Sequence, residues 1–134
     1  METSANLGKL LLRLTLGVLI LLHGIAKIAS GPAMIMGTVA KSGLPPALGY
    51  LVYVGEILAP VLLIAGVWAR VAALVVAINM VVAVLLVHAG QLGDLTRTGG
   101  WALELQGFYF FTAVAIMLLG AGKFSVGGAG GRLN

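Results

Sequence analysis

The sequence predicts an all-α fold: an integral membrane, antiparallel four-helix bundle with a short interfacial helix between its first and second spans. Composition is the first reason. Of the 134 residues 60% are hydrophobic and only 9% are charged, whereas a soluble domain carries about 25% charge. Such a chain cannot cover a water-facing surface. Length is the second reason, because about 20 apolar residues cross a bilayer, which leaves room for four spans and short connectors. The third is pattern. The apolar runs are long and do not alternate, and in lipid only helices or closed barrels satisfy every backbone polar group.

The first span is expected over about 7–29. Lys9 and Arg13 precede an apolar run as in a signal peptide. The run is too long for one, however, carries His23 and Lys27, and lacks a cleavage site before Ser30, so it reads as a retained helix. The connector that follows holds two breakers, Gly31-Pro32 and Gly43-Leu44-Pro45-Pro46. Between them, residues 33–41 are expected to form one short helix on the membrane surface. The second span covers about 47–68, and Pro60 inside it should kink the helix and free the carbonyl of Glu56. The third span, about 70–88, follows almost directly after Gly66-Val67-Trp68-Ala69-Arg70, which forces an antiparallel hairpin. A connector over 90–100 leads to the fourth span, about 101–120. The four-span domain therefore occupies 1–126. The stretch 127–134, rich in glycine, is expected to be a flexible tail.

An even number of spans puts both ends of the chain on one side. With the turn between spans two and three, that side carries Lys9, Arg13, Arg70, Lys123 and Arg132, against Lys27, Lys41 and Arg97 opposite. The positive-inside rule then places both termini in the cytoplasm, with a bacterial cytoplasmic membrane as the default location. Basic residues sit singly at segment ends, with no basic patch or aromatic interleaving, so nucleic acid is not an expected partner. The chain has no cysteine. That excludes disulfides, thiolate catalysis and any thiol redox centre of its own.

Polar residues inside the apolar segments are the pointers to function, because charge in hydrocarbon needs an interior face, a water cavity or a ligand. They are Arg13, His23, Lys27, Glu56, Asn79 and Glu104, with His88 at a segment edge. At about 1.5 Å per helical residue, His23, Lys27, Glu56, His88 and Glu104 all fall in the outer half of the bundle. These five form the candidate polar or ligand pocket. Arg13 lies toward the inner side, where it is expected to snorkel to headgroups or to pair with Glu56. Asn79 reads as an interhelical hydrogen-bond donor, and Arg70 as a structural residue. Four of the five also have a structural reading: Lys27 can snorkel outward, His88 can be interfacial, Glu104 can be wet, and Glu56 can be half of a helix-to-helix salt bridge. The histidines and acids form no close-spaced metal motif. His23 and His88 differ in depth by roughly 8 Å, which argues against a haem between them. No catalytic residue is assigned.

Several short patterns occur in order. Arg13, Gly17 and His23-Gly24-Ile25-Ala26-Lys27 lie in the first span, and Gly43-Leu44-Pro45 stands before the second. Glu56 is followed by Gly66-Val67-Trp68-Ala69-Arg70, and Gly120-Ala121-Gly122-Lys123-Phe124-Ser125-Val126 closes the chain. In this order, with four spans, the sequence resembles the DoxX family of small membrane proteins. It departs from that family at Gly127, where an aspartate is common. The resemblance implies a quinone-associated subunit or partner of a membrane oxidoreductase complex, with quinone as the expected ligand. Lys27 or His23 would hydrogen-bond a quinone oxygen, and Glu56 or Glu104 would exchange protons. The alternative is a structural or assembly subunit with no chemistry of its own. Expected partners are the lipid bilayer and proteins of a membrane complex, with a homo-oligomer left open.

Overall fold

A computed structural model describes residues 2–134, and within them five helices. Helix α1 runs over Glu2–Ser30 and α2 over Ala33–Lys41. Helix α3 spans Pro46–Ala65, α4 Ala69–Gln91 and α5 Glu104–Leu119. Helices α1, α3 and α4 are each long and apolar enough to cross a membrane, while α5 is apolar but shorter, at 16 residues. The short helix α2 has the bounds expected of it. The span boundaries differ by a few residues, most at the start of the first, where α1 already begins at Glu2, and at the start of the fourth, where residues 101–103 form a turn before α5. Trp101 closes that turn by donating its indole N–H to the Leu92 carbonyl at 2.9 Å.

Small residues set how closely the helices approach. The core is Leu16 and Ile20 of α1, Ala59 and Leu63 of α3, Ala72, Ala73, Val76 and Ala77 of α4, and Ala113 and Ile116 of α5. With alanines at the α4 seam, α5 and α3 can both lie tightly against it.

Helix α3 is not uniform. It opens with a 3₁₀ stretch, Pro46–Tyr50, and carries a π-helical turn over Val54–Leu58 before its α-helical end. Pro60 is the cause at hand. Proline has no N–H to give the carbonyl four residues earlier, and its ring crowds that carbonyl, so the local register loosens. That carbonyl belongs to Glu56. A Cβ on Gly24 of α1 would overlap it, and would stand 2.5 Å from Ile57 Cδ1. The backbones of α1 and α3 therefore meet where proline has disturbed one and glycine has bared the other.

The turn from α3 to α4 is tighter than the sequence alone suggests. Gly66 and Trp68 both adopt left-handed backbone, at φ 74° and 48°. For a bulky residue such as Trp68 that conformation is disfavoured, and the surrounding contacts must hold it. The following helix start is capped from a distance: the Asn134 side chain accepts the Ala69 N–H at 3.0 Å, and the Leu133 carbonyl accepts the Arg70 N–H.

The glycine-rich stretch expected to be flexible is thus folded back onto the bundle. Ala121 N–H bonds to the Asn134 carbonyl, and Gly127 N–H to the Gly66 carbonyl. Glycine suits position 127 here, because a Cβ would stand 2.7 Å from the Asn134 amide nitrogen and 2.9 Å from the Gly66 oxygen. Asn134→Ala is expected to lower stability by about 1 kcal/mol, the usual loss of an N-cap, read as a fall in melting temperature of the detergent-solubilised protein.

Candidate functional site

Three helices bring His23, Lys27, Glu56 and His88 to one cavity of about 260 Å³, which Tyr109 and Gln106 of α5 also line. Its centre is the pair between Lys27 and Glu56. The Lys27 ammonium donates to both carboxylate oxygens, at 2.6 and 2.7 Å. The two ends of that pair have different surroundings: the lysine side chain is 37% exposed and the glutamate 4%. Asn79 of α4 donates its amide N–H to Glu56 Oε1 at 3.2 Å. The buried carboxylate thus has every oxygen bonded, by two helices other than its own.

The local structure explains the convergence. Glu56 lies in the π-helical turn ahead of Pro60, and His88 lies in a second π-helical turn, Val84–His88, toward the C-terminal end of α4. Such turns rotate the side chains that follow relative to an ideal helix, and they recur at functional sites. Gly55 contributes by subtraction, since a Cβ there would stand 2.7 Å from Asn79 Cγ. His23 is set edge-on to the Tyr109 ring at 6.0 Å between centroids. His88 Nδ1 is 2.8 Å from Gln91 Oε1, one turn along the same helix. Tyr53 ties its hydroxyl to the Lys27 carbonyl at 3.3 Å.

Two sequence expectations need correction. Glu104 does not line this cavity: it is exposed at the start of α5, near Gly100. Depth alone grouped it with the others, and rotation separates it. A helix turns about 200° over two residues, so Gln106 takes the inward face and Glu104 the outward one. Gln106 and Tyr109, three residues apart, share that inward face. Their spacing was the available signal, and depth alone overlooked it.

Arg13 neither snorkels to headgroups nor pairs with Glu56. It is fully buried. Its Nε donates to the Ala121 carbonyl at 3.0 Å, and Nη1 to those of Leu63 at 2.7 Å and Ile64 at 3.3 Å. Nη2 donates to the Phe124 carbonyl. One guanidinium therefore joins α1 to the end of α3 and to the closing segment. Arg70 acts in a similar way at lower burial, donating to the last-turn carbonyls Met117 and Leu118 of α5 at 2.8 and 3.0 Å. Asn6, which the sequence did not single out, accepts the Lys123 N–H at 2.8 Å and fixes the same segment. Among the described residues no group of three or more His, Asp or Glu side chains is placed to hold a metal ion.

Long apolar helices packed through small residues, with a half-buried ion pair opening to a polar cavity, define an integral membrane helical protein. The family model described as DoxX matches residues 8–89, more than half of the chain, and the protein belongs to the DoxX family. No curated protein and no solved structure matches it.

Proposed function

We propose that the protein is a four-span subunit or partner of a quinone-linked membrane oxidoreductase, with the polar cavity receiving the quinone head group. The carrying observation is the meeting of His23, Lys27, Glu56 and His88 at one cavity in otherwise apolar helices. Charges are kept in such positions when a ligand, a water path or a proton needs them. Helices α1, α3 and α4, together with the shorter α5, would cross a bacterial cytoplasmic membrane. Both ends of the chain would lie in the cytoplasm, on the side of Lys9, Arg70, Lys123 and Arg132.

The residues present fit a small oxygen-bearing ring. Lys27 offers N–H donors, Tyr109 a hydroxyl and His23 an imidazole. A volume of about 260 Å³ lies below the roughly 300–1,000 Å³ of pockets for drug-sized ligands, so it suits a single ring whose chain extends elsewhere. A bound quinone would supply two-electron chemistry that this cysteine-free chain lacks. The chain's own part is to orient the ring and to handle protons. Lys27 and His23 hydrogen-bond a ring oxygen, and Glu56, bonded to the Lys27 ammonium, takes up or releases a proton through it.

Purified protein should then carry quinone in near-stoichiometric amount, measured by mass spectrometry of the organic extract. Glu56→Gln should lower quinone turnover in the intact complex by about 10²-fold, the usual contribution of a proton-transfer group. Quinone-free protein together with unchanged turnover in Glu56→Gln removes the reading. A structural or assembly subunit is the second reading, favoured by the internal completeness of the Glu56 bonds, which need no ligand. In that case Glu56→Gln weakens the bundle or its partner binding and leaves electron transfer per assembled complex unchanged.

A further inference from the structure

Asn79, which bonds Glu56 of the polar cavity, also lines a second, larger space of about 400 Å³ between α2, α3 and α4. Val39, Leu44, Leu51, Val52, Ile78 and Leu86 supply much of its wall, and none of its lining residues carries a charge. One side chain in it is polar, and that is Asn79. A single amide N–H of Asn79 is used by Glu56. Its second N–H and its Oδ1 have no protein partner among the described residues, and Gly55 leaves room for the amide to reach this position. A mostly apolar concavity with one convergent polar group is the usual form of a small-molecule site.

Depth narrows the occupant. Asn79 stands ten residues from Ala69 and twelve from Gln91, the ends of α4. At 1.5 Å per residue that is about 15 and 18 Å, the middle of a hydrocarbon core about 30 Å thick. Phospholipid ester groups and phosphates stay at the interface, and no cation in the cleft would draw an anionic head inward. An amide only partly paired in hydrocarbon nevertheless gains from a partner. We infer that the cleft binds an uncharged, chain-bearing membrane molecule whose carbonyl or hydroxyl oxygen pairs with Asn79 at mid-bilayer. The chain lies along α3 and α4 under the cover of α2. Because Asn79 also holds Glu56, the occupant sits one hydrogen bond from the Lys27–Glu56 pair.

This site is distinct from the polar cavity and does not rest on the quinone reading. The test uses the full-length protein in phosphatidylcholine nanodiscs with dodecyl benzophenone, a neutral ketone on one alkyl chain that crosslinks when illuminated. The expected result is saturable labelling that maps to α2, α3 and α4 and is competed by a long-chain alcohol but not by dodecane. Ile78→Trp, which fills the cleft and leaves Asn79 and Glu56 in place, should abolish the saturable part. Asn79→Leu should weaken it by about fivefold, as loss of one hydrogen bond implies. Labelling spread evenly over lipid-facing residues overturns the proposal, as does saturable labelling that Ile78→Trp leaves intact. Labelling unchanged in a folded Asn79→Leu protein overturns the role of the amide. Quinone content is measured separately, so either reading can fail while the other stands.

Discussion

Arg13→Ala is expected to be the most damaging single substitution in this protein. The guanidinium is fully buried and serves carbonyls of Leu63, Ile64, Ala121 and Phe124. Removing it leaves those oxygens without their donor in a site water does not reach, and each buried unsatisfied group costs about 1–3 kcal/mol. Some will find other partners, so the expected loss is about 4 kcal/mol in total. The site of failure is also defined. Ala121 and Phe124 belong to the closing segment, whose other ties include Asn6 to Lys123 and Ala65 to Val126. Limited trypsin digestion should therefore cut after Lys123 in Arg13→Ala under conditions where the parent protein is intact. Arg13→Lys should recover only part of the loss, because one ammonium cannot span a fork of carbonyls from two segments. A melting temperature unchanged in Arg13→Ala would show that the clamp does not hold the segment.

Gly24→Ala is expected to rank second. The added Cβ overlaps the Glu56 carbonyl oxygen, a backbone atom that cannot swing aside, so α1 and α3 must separate. Overpacking of this kind costs about 1–3 kcal/mol, and the rigidity of the neighbour places this site at the upper end. Gly17→Ala is the internal comparison. There the nearest atoms are in the Ile64 side chain, at 2.7 Å, with the Pro60 oxygen at 3.1 Å. A side chain can yield, so about 1 kcal/mol is expected. Separation at Gly24 also pulls Lys27, one turn further along α1, away from Glu56. Gly24→Ala should therefore reproduce the quinone-related defects of Glu56→Gln, and Gly17→Ala should not. Equal melting of the two glycine variants would contradict the close approach at Gly24.

Much of the site was legible because insertion in lipid penalises stray charge. A Lys or Glu in an apolar run draws notice by that penalty alone, and depth at a fixed rise per residue grouped His23, Lys27, Glu56 and His88 correctly. Asn79 was read as a tie between helices, and it does tie α4 to Glu56 of α3. The failures share a cause. Depth says nothing about rotation, so Glu104 was grouped with residues it does not face, while Gln106 and Tyr109 were missed. For Arg13, charge suggested water or an acid as its partner. Backbone carbonyls are equally good acceptors, and nothing in a sequence marks which carbonyls a helix end will leave open.

Legible in the chain alone were the helices, their apolar character, the short helix at 33–41, the hairpin after α3 and the disturbance that Pro60 brings to Glu56. Each of these follows from local chemistry: periodicity, hydropathy and the missing proline donor. The tertiary structure alone decided that the Lys27 ammonium reaches Glu56, that one arginine gathers carbonyls from α3 and the closing segment, and that a glycine-rich stretch folds back to cap α4. It alone separated a polar cavity at Glu56 from an apolar cleft lined by Asn79. Those outcomes depend on which faces meet across residues far apart in the chain, and contact at that range is set by packing geometry that no local pattern encodes.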